Sequence, residues 1–110
     1  MYKYKAKVIN VVDGDTIDAI VDLGFKLKWE TRLRLYGIDT PETRTKNLNE
    51  KKKGLEAKEY VKSKIEGKEV LIETHKKGKF GRYLVTIFID GINLNLELIK
   101  KGLAREYYGE

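Results

Sequence analysis

The sequence predicts a mainly β (α+β) fold: a five-stranded Greek-key barrel with about two helices, in the order β-β-β-α-β-β-α. Three observations carry that expectation. Three segments of strand-like alternation precede any helical pattern, one helical stripe follows, and two further strand-like segments lead into a short helix. A three-strand meander, a helix and two more strands is the order of an OB-type barrel. The main rival, a ferredoxin-like βαββαβ arrangement, fits worse because three strands come before the first helix. At 110 residues the chain is expected to form one domain, 1–110, with one modest core.

Lys3 to Val12 sets Lys3, Lys5 and Lys7 against Tyr4, Ala6 and Val8, the alternation of a strand with one apolar face. Asp13-Gly14-Asp15 is a turn signal and Thr16 to Asp22 is β-branched and apolar, so the two segments should form a hairpin. After Gly24, a third strand from about Lys26 to Tyr36 puts Trp29, Thr31, Leu33 and Leu35 on one face, which places Trp29 in the core. Glu30, Arg32, Arg34 and Tyr36 share the other face. Pro41 has no N–H to donate, so Ile38 to Glu42 cannot continue a central strand, and Thr43 to Lys53 reads as an exposed basic loop. From Leu55 a helical stripe of Ala57, Tyr60, Val61, Lys64 and Ile65 runs to Gly67. Glu69 to Thr74 and Leu84 to Ile89 are the last two strands. The turn-rich segment His75 to Arg82 joins them and makes His75 a surface loop residue. Asp90-Gly91 is a turn, and Asn95 is placed to cap a short helix bearing Leu96 and Ile99 that Gly102 closes.

Composition narrows the chemistry. The absence of cysteine excludes disulfides, zinc–thiolate sites and thiol catalysis, and a single histidine makes a His-rich metal site or a Ser-His-Asp triad hard to build. No apolar run approaches the roughly 18 residues of a membrane span; a basic chain can also meet a membrane surface, but nucleic acid and no membrane is the partner expected. The start, MYKYKAKVIN, lacks the apolar block of a signal peptide, which suggests a cytoplasmic location. A formal charge of +6 favours an anionic partner such as nucleic acid, although solubility alone accounts for a charge of this size. A Lys- and Glu-rich chain without Gln also fits a heat-adapted protein. What remains is chemistry run by carboxylates, arginines and tyrosines.

The densest cluster is Asp39-Thr40-Pro41-Glu42, with Arg34 shortly before it and Asp15 on a tight turn. Carboxylates converging at strand ends suit a hard cation. A cation beside a phosphodiester neutralises charge on the phosphoryl oxygens, and a further carboxylate can take the proton of an attacking water. Arginine supplies paired planar donors for phosphate, and Arg34, opposite Leu33 and Leu35, is free to reach a ligand. The same residues have plainer readings: Asp-Gly-Asp is a turn and Asp-Thr-Pro-Glu a helix start. Gly78-Lys79-Phe80-Gly81-Arg82-Tyr83 can present cations and a ring to a nucleotide, or can be a simple basic hairpin loop; it is not a P-loop. Tyr107-Tyr108 either stacks on bases or packs on the barrel, and Lys51-Lys52-Lys53 is a solvated run or a phosphate-attracting rim.

Together these motifs resemble the staphylococcal nuclease (thermonuclease) family. The matching pieces are Asp13-Gly14-Asp15-Thr16, Arg34-Leu35 with Asp39-Thr40-Pro41-Glu42, Gly54-Leu55-Glu56-Ala57, Gly81-Arg82, and Asn95 through Gly102-Leu103-Ala104. They stand in the family's order and nearly its spacings, over almost the whole chain. The resemblance implies an OB-fold barrel that hydrolyses DNA and RNA with calcium (Ca²⁺). It implies Asp15 and Asp39 as carboxylate ligands of the metal, with Thr40 adding its backbone carbonyl. Glu42 matches the general base, Arg34 and Arg82 the phosphate-gripping arginines, and Lys79 and Tyr108 residues of the nucleotide pocket. Three departures stand out: Phe80 where the family often has Tyr, Glu110 at the second pocket tyrosine, and no match for the family's usual C-terminal helix. The last would leave an apolar patch for a second subunit to cover.

The leading expectation is a calcium-dependent nuclease acting on single-stranded or locally open DNA or RNA, working as a monomer with a dimer as the alternative. Mg²⁺ or Mn²⁺ would satisfy the same oxygen ligands. The competing expectation is a non-catalytic OB-fold nucleic-acid-binding module. The presence of Asp15, Arg34, Asp39, Glu42 and Arg82 together favours the enzyme. A protein-interaction domain without a nucleic acid partner fits the basic balance less well.

Overall fold

The computed structural model describes residues 2–77 and 81–109. Strands β1 (Lys3–Asp13) and β2 (Thr16–Gly24) form the first antiparallel hairpin, with Asp13 opposite Thr16 across the Gly14-Asp15 turn. In β1, Ala6 and Val8 point inward, and a register shift near Ile9 then moves the inward position to Val11. Such a bulge bends the strand and frees backbone groups from the ladder. These groups meet the C-terminal end of helix α1 (Leu48–Ile65): Gly67 N–H donates to the Val8 carbonyl at 2.8 Å, and Val11 N–H to the Glu66 carboxylate at 3.0 Å.

Strand β3 (Leu27–Leu35) continues antiparallel from β2. After β4 (Ile38–Asp39) and α1, β5 (Glu69–Lys77) adds to the other side of β1, and β6 (Tyr83–Ile89) follows it. The order β3-β2-β1-β5-β6 closes on itself where Leu33–Leu35 run parallel to Tyr83–Val85. This is the expected five-stranded barrel, in the expected order. Val8, Ile17, Leu33, Leu35, Ile72 and Ile87 fill it, Val61 and Ile65 pack onto it from α1, and Leu94 and Leu98 from α2 (Leu94–Lys100). Two short pairings complete the chain: β7 (Ile92–Asn93) folds back on β6, and β8 (Arg105–Glu106) pairs with β4. The Tyr60 hydroxyl ties the helices together by donating to the Glu97 carboxylate at 2.7 Å; burial and that partner push its pKa up to about 12.

Several local expectations change. Helix α1 starts at Leu48 rather than Leu55, so Lys51-Lys52-Lys53 lie on a helix and the exposed loop is shorter than predicted. The added turns face outward and have no apolar stripe to betray them. The readable signal was the cap: Asn47 Oδ1 accepts from Glu50 N–H at 3.1 Å. Lys64 of the predicted stripe is exposed; Gly54 is buried instead. His75 is not a loop residue, because β5 runs on to Lys77. Its ring stacks on Tyr36 with centroids 4.0 Å apart and bonds to the Thr86 hydroxyl at 2.8 Å. Asn93, not Asn95, caps α2 by accepting from Leu96 N–H, while Asn95 is buried in the first turn.

Trp29 is 40% exposed and not a core residue. The β2–β3 hairpin outruns the barrel: β6 covers β3 only at Leu33–Leu35, so the inward-facing side of residues 27–31 has no opposite wall. The hairpin turns on Phe25-Lys26, with φ of 54° and 64°. Left-handed backbone at residues other than glycine costs about 1–2 kcal/mol each, and hairpins of this type normally spend Asn-Gly there.

Candidate active site

Two chain reversals at one end of the barrel bring the sequence-predicted acids together. Asp15 ends the β1–β2 turn, and its carbonyl accepts from Leu35 N–H at 2.8 Å, which locks the turn to the end of β3. Beyond Leu35 the chain reverses at Gly37 (φ 77°), where the Tyr108 ring lies so close that a Cβ would meet it at 2.7 Å. The reversal returns Ile38-Asp39-Thr40 across the mouth of the turn.

Arg34 holds the two loops together. Its Nη1 lies 3.1 Å from Asp15 Oδ2, while Nη2 donates to the Ile38 carbonyl at 3.2 Å and faces Asp39 Oδ1 at 3.4 Å. Both oxygens of Asp15 already accept: Oδ2 also from Thr40 N–H at 3.1 Å, and Oδ1 from the Thr16 hydroxyl at 3.0 Å. Arg34 is therefore buried rather than free on a polar face, because the returning loop covers it. Burying a guanidinium is tolerable here because carboxylates and a carbonyl receive its protons. The second oxygen of Asp39 belongs to Arg105, whose Nη2 and Nε approach Oδ2 at 3.0 and 3.3 Å.

Helix α1 backs both loops. A Cβ at Gly54 would meet the Pro41 and Glu42 carbonyl oxygens at 2.6 and 2.7 Å, and one at Gly14 would meet Ala57 Cβ and Thr40 Cγ2, each at 2.9 Å. Only glycine permits these approaches. Asn95 supports the site from below: its Oδ1 accepts from Ile87 N–H at 3.1 Å, and its Nδ2 donates to the carbonyls of Tyr36 at 2.9 Å and Val85 at 3.1 Å.

The result is a cleft of about 380 Å³ whose walls include Asp15, Arg34, Asp39, Thr40, Glu42 and Arg82. Six of the eight predicted site residues thus converge. Asp13, Arg32 and Arg44 also line it, and Thr43 donates to Asp13 at 2.7 Å, bracing the loop after Glu42. Among the described residues no three His, Cys, Asp or Glu side chains gather into a metal cluster. The carboxylates that line the cleft are those of Asp13, Asp15, Asp39 and Glu42. Oxygen-only donors suit Ca²⁺, Mg²⁺ or Mn²⁺ and disfavour softer metals.

A family model described as staphylococcal nuclease homologue matches residues 32–110. The chain belongs to that family. A thermonuclease of Staphylococcus hyicus is 40% identical over 101 residues, covering 90% of this chain and 57% of that protein. An uncharacterised protein of Methanocaldococcus jannaschii is 39% identical over 128 residues (94% of this chain, 59% of the other). The endonuclease YncB of Bacillus subtilis is 32% identical over 114 residues (96% and 52%). The chain spans little more than half the length of these curated relatives.

In this staphylococcal nuclease homologue, Tyr108 stands apart from the cleft: it covers the Gly37 corner with its ring edge-on to Tyr36 at 5.5 Å, and it is mostly exposed. Lys79, with Phe80 and Glu110, lies outside the described residues. The partner of Asp39 that sequence reasoning missed is Arg105. No local pattern marks it, because it reaches Asp39 only through the β4–β8 register, 66 residues away along the chain.

Proposed function

We propose that this staphylococcal nuclease homologue hydrolyses phosphodiester bonds in single-stranded or locally open DNA or RNA at the Asp15–Arg34–Arg82 cleft, assisted by a divalent cation, with Ca²⁺ the first candidate. The observation that carries the proposal is the convergence of two carboxylates, a further carboxylate and two arginines on one small cleft. Asp15, Asp39 and the Thr40 carbonyl would hold the cation. When bound, it supplies positive charge to the phosphoryl oxygens and lowers the cost of ionising a nearby water.

The chain's own residues do the rest. Glu42 is exposed at the cleft wall, with its carbonyl pinned by Gly54, and its carboxylate takes the proton of the attacking water. As the water oxygen bonds to phosphorus, an ester P–O bond breaks. Arg82 and Arg34 donate paired N–H groups to the phosphate oxygens and stabilise the charge that builds there. Arg34 reaches this task already fixed by Asp15 and Ile38, so little rotamer freedom is lost when substrate arrives. The cation would share Asp39 with Arg34 and Arg105, so part of its binding energy goes into loosening the Arg105 pair on Oδ2, while Arg34 stays held by Asp15 and Ile38.

The test is cleavage of a fluorescent single-stranded oligonucleotide in millimolar Ca²⁺ and in chelator, with the wild type and Asp39→Ala. Cleavage is expected only with the cation, and Asp39→Ala is expected to raise the Ca²⁺ midpoint by about tenfold or more through loss of a charged ligand. An unchanged midpoint removes Asp39 from the ligand set. Oligonucleotide binding without cleavage under every cation makes the chain a non-catalytic binding module.

A further inference from the structure

We propose that the β2–β3 hairpin and the adjoining Tyr83 form a second contact surface for single-stranded nucleic acid, a stacking platform for bases of the strand leaving the cleft. The inference rests on the nuclease reading and extends it beyond the scissile phosphate.

Three observations converge. Trp29 and Tyr83 pack edge to face with centroids 5.5 Å apart, yet each keeps about 40% of its surface in solvent. Phe25, at the hairpin tip, is 98% exposed, and Leu23 and Leu27 beside it are also uncovered. The tip keeps this phenylalanine in left-handed backbone (φ 54°), where Asn or Gly would relieve the strain. Strain held at a bulky exposed ring points to a use for the ring.

Cations lie beside these rings, with Asp22 and Glu30 as the exposed acids of the same hairpin. Lys26 and Lys28 flank the tip, both exposed, and Lys77 Nζ sits 5.5 Å from the Tyr83 ring centroid. Rings interleaved with lysines suit a polyanion whose bases stack while its phosphates meet the ammonium groups. The platform lies on the face of β3 opposite Arg32 and Arg34 and adjoins the cleft only at the strand edge, where Arg82 lines the cleft and the next residue, Tyr83, begins the aromatic cluster. On this proposal a strand long enough to round that edge reaches Tyr83, then Trp29, then the tip, whereas a dinucleotide held in the cleft does not.

Trp29 is the sole tryptophan, so its fluorescence reports the platform directly. The probes are a dinucleotide and a twelve-nucleotide oligothymidylate, titrated in chelator. The longer probe is expected to quench Trp29 and the dinucleotide to leave it nearly unchanged. Phe25→Asn keeps the hairpin turn, since Asn adopts left-handed backbone readily. It is expected to weaken the longer probe about 5- to 100-fold, the worth of one lost base stack, and to leave the dinucleotide affinity alone. Tyr83→Leu, checked for folding by thermal unfolding, should act in the same direction.

Flat Trp29 fluorescence under a bound twelve-mer, or equal affinity of wild type and Phe25→Asn, overturns the proposal. So does quenching that tracks protein concentration with a dimer in sedimentation, which assigns the patch to a second copy. A response to anionic phosphatidylglycerol vesicles in place of the oligonucleotide assigns it to a lipid surface instead. The cleft reading fails separately: length-dependent quenching without any cleavage sinks the nuclease and leaves the platform, and cleavage with flat fluorescence does the reverse.

Discussion

Arg34 shows how one side chain organises the candidate site. It touches both candidate ligand carboxylates and the Ile38 carbonyl, so removing it would leave Asp15 and Asp39 facing each other without a cation between them. His75 plays the opposite part, a titratable group whose neutral form the fold prefers. Burial holds its pKa below the ordinary value of 6.5, against a smaller pull upward from Glu73. Above pH 6.5 the ring is neutral in folded and unfolded chains alike and costs nothing. As pH falls below 6.5 the unfolded chain binds the proton first, so stability drops until the folded ring protonates as well. The urea midpoint is therefore expected to fall between pH 7.5 and 5.5, and His75→Asn to flatten that slope. An unchanged slope in the variant would mean that another group titrates there. The pull of Arg32 on the Asp18 carboxyl acts lower, being lost only as pH falls through the depressed acid range.

At the scale of elements, α1 holds the site more by what it lacks than by what it carries. Replacing glycine by alanine inside a helix ordinarily stabilises by about 1 kcal/mol. Gly54→Ala is expected to destabilise instead, by about 1–3 kcal/mol, because the new methyl would drive into the Pro41 and Glu42 carbonyls. It should also slow cleavage by moving Glu42. Urea unfolding of the variant checks this, and a gain in stability would show that the helix does not press on that loop. This backing role was invisible in the sequence, where Ala57 read as part of the helical stripe and Gly54 only as a motif residue. The five strands were legible because each alternates or runs β-branched between turn signals. The first turns of α1 were not, since their Leu48 faces solvent and only the Asn47 cap marks the start. Asn95 misled for a related reason: asparagine is a good cap anywhere near a helix start, and only the fold reveals that its amide serves Ile87, Tyr36 and Val85.

For the whole molecule, closure of the barrel does two things at once. The parallel pairing of β3 with β6 seals the core and carries Arg82 to the same cleft as Arg34. It also ends after three residues, which leaves the β2–β3 hairpin projecting with Trp29 uncovered. The acids and arginines of the cleft were readable as short motifs, because turns and strand ends announce themselves locally. Arg105 and the exposed aromatic patch were not, since both depend on where the barrel stops. The net charge of +6 favours a polyanion without choosing a site for it. The most direct test of the central claim is single-turnover cleavage by Glu42→Gln beside the wild type, in Ca²⁺, with oligonucleotide affinity and thermal unfolding measured on the same samples. The exchange removes only the proton acceptor, so affinity and unfolding should hold while the cleavage rate falls about 10²- to 10⁴-fold. A variant that cleaves at the wild-type rate would show that Glu42 does not activate the water, and would contradict the mechanism drawn from this cleft.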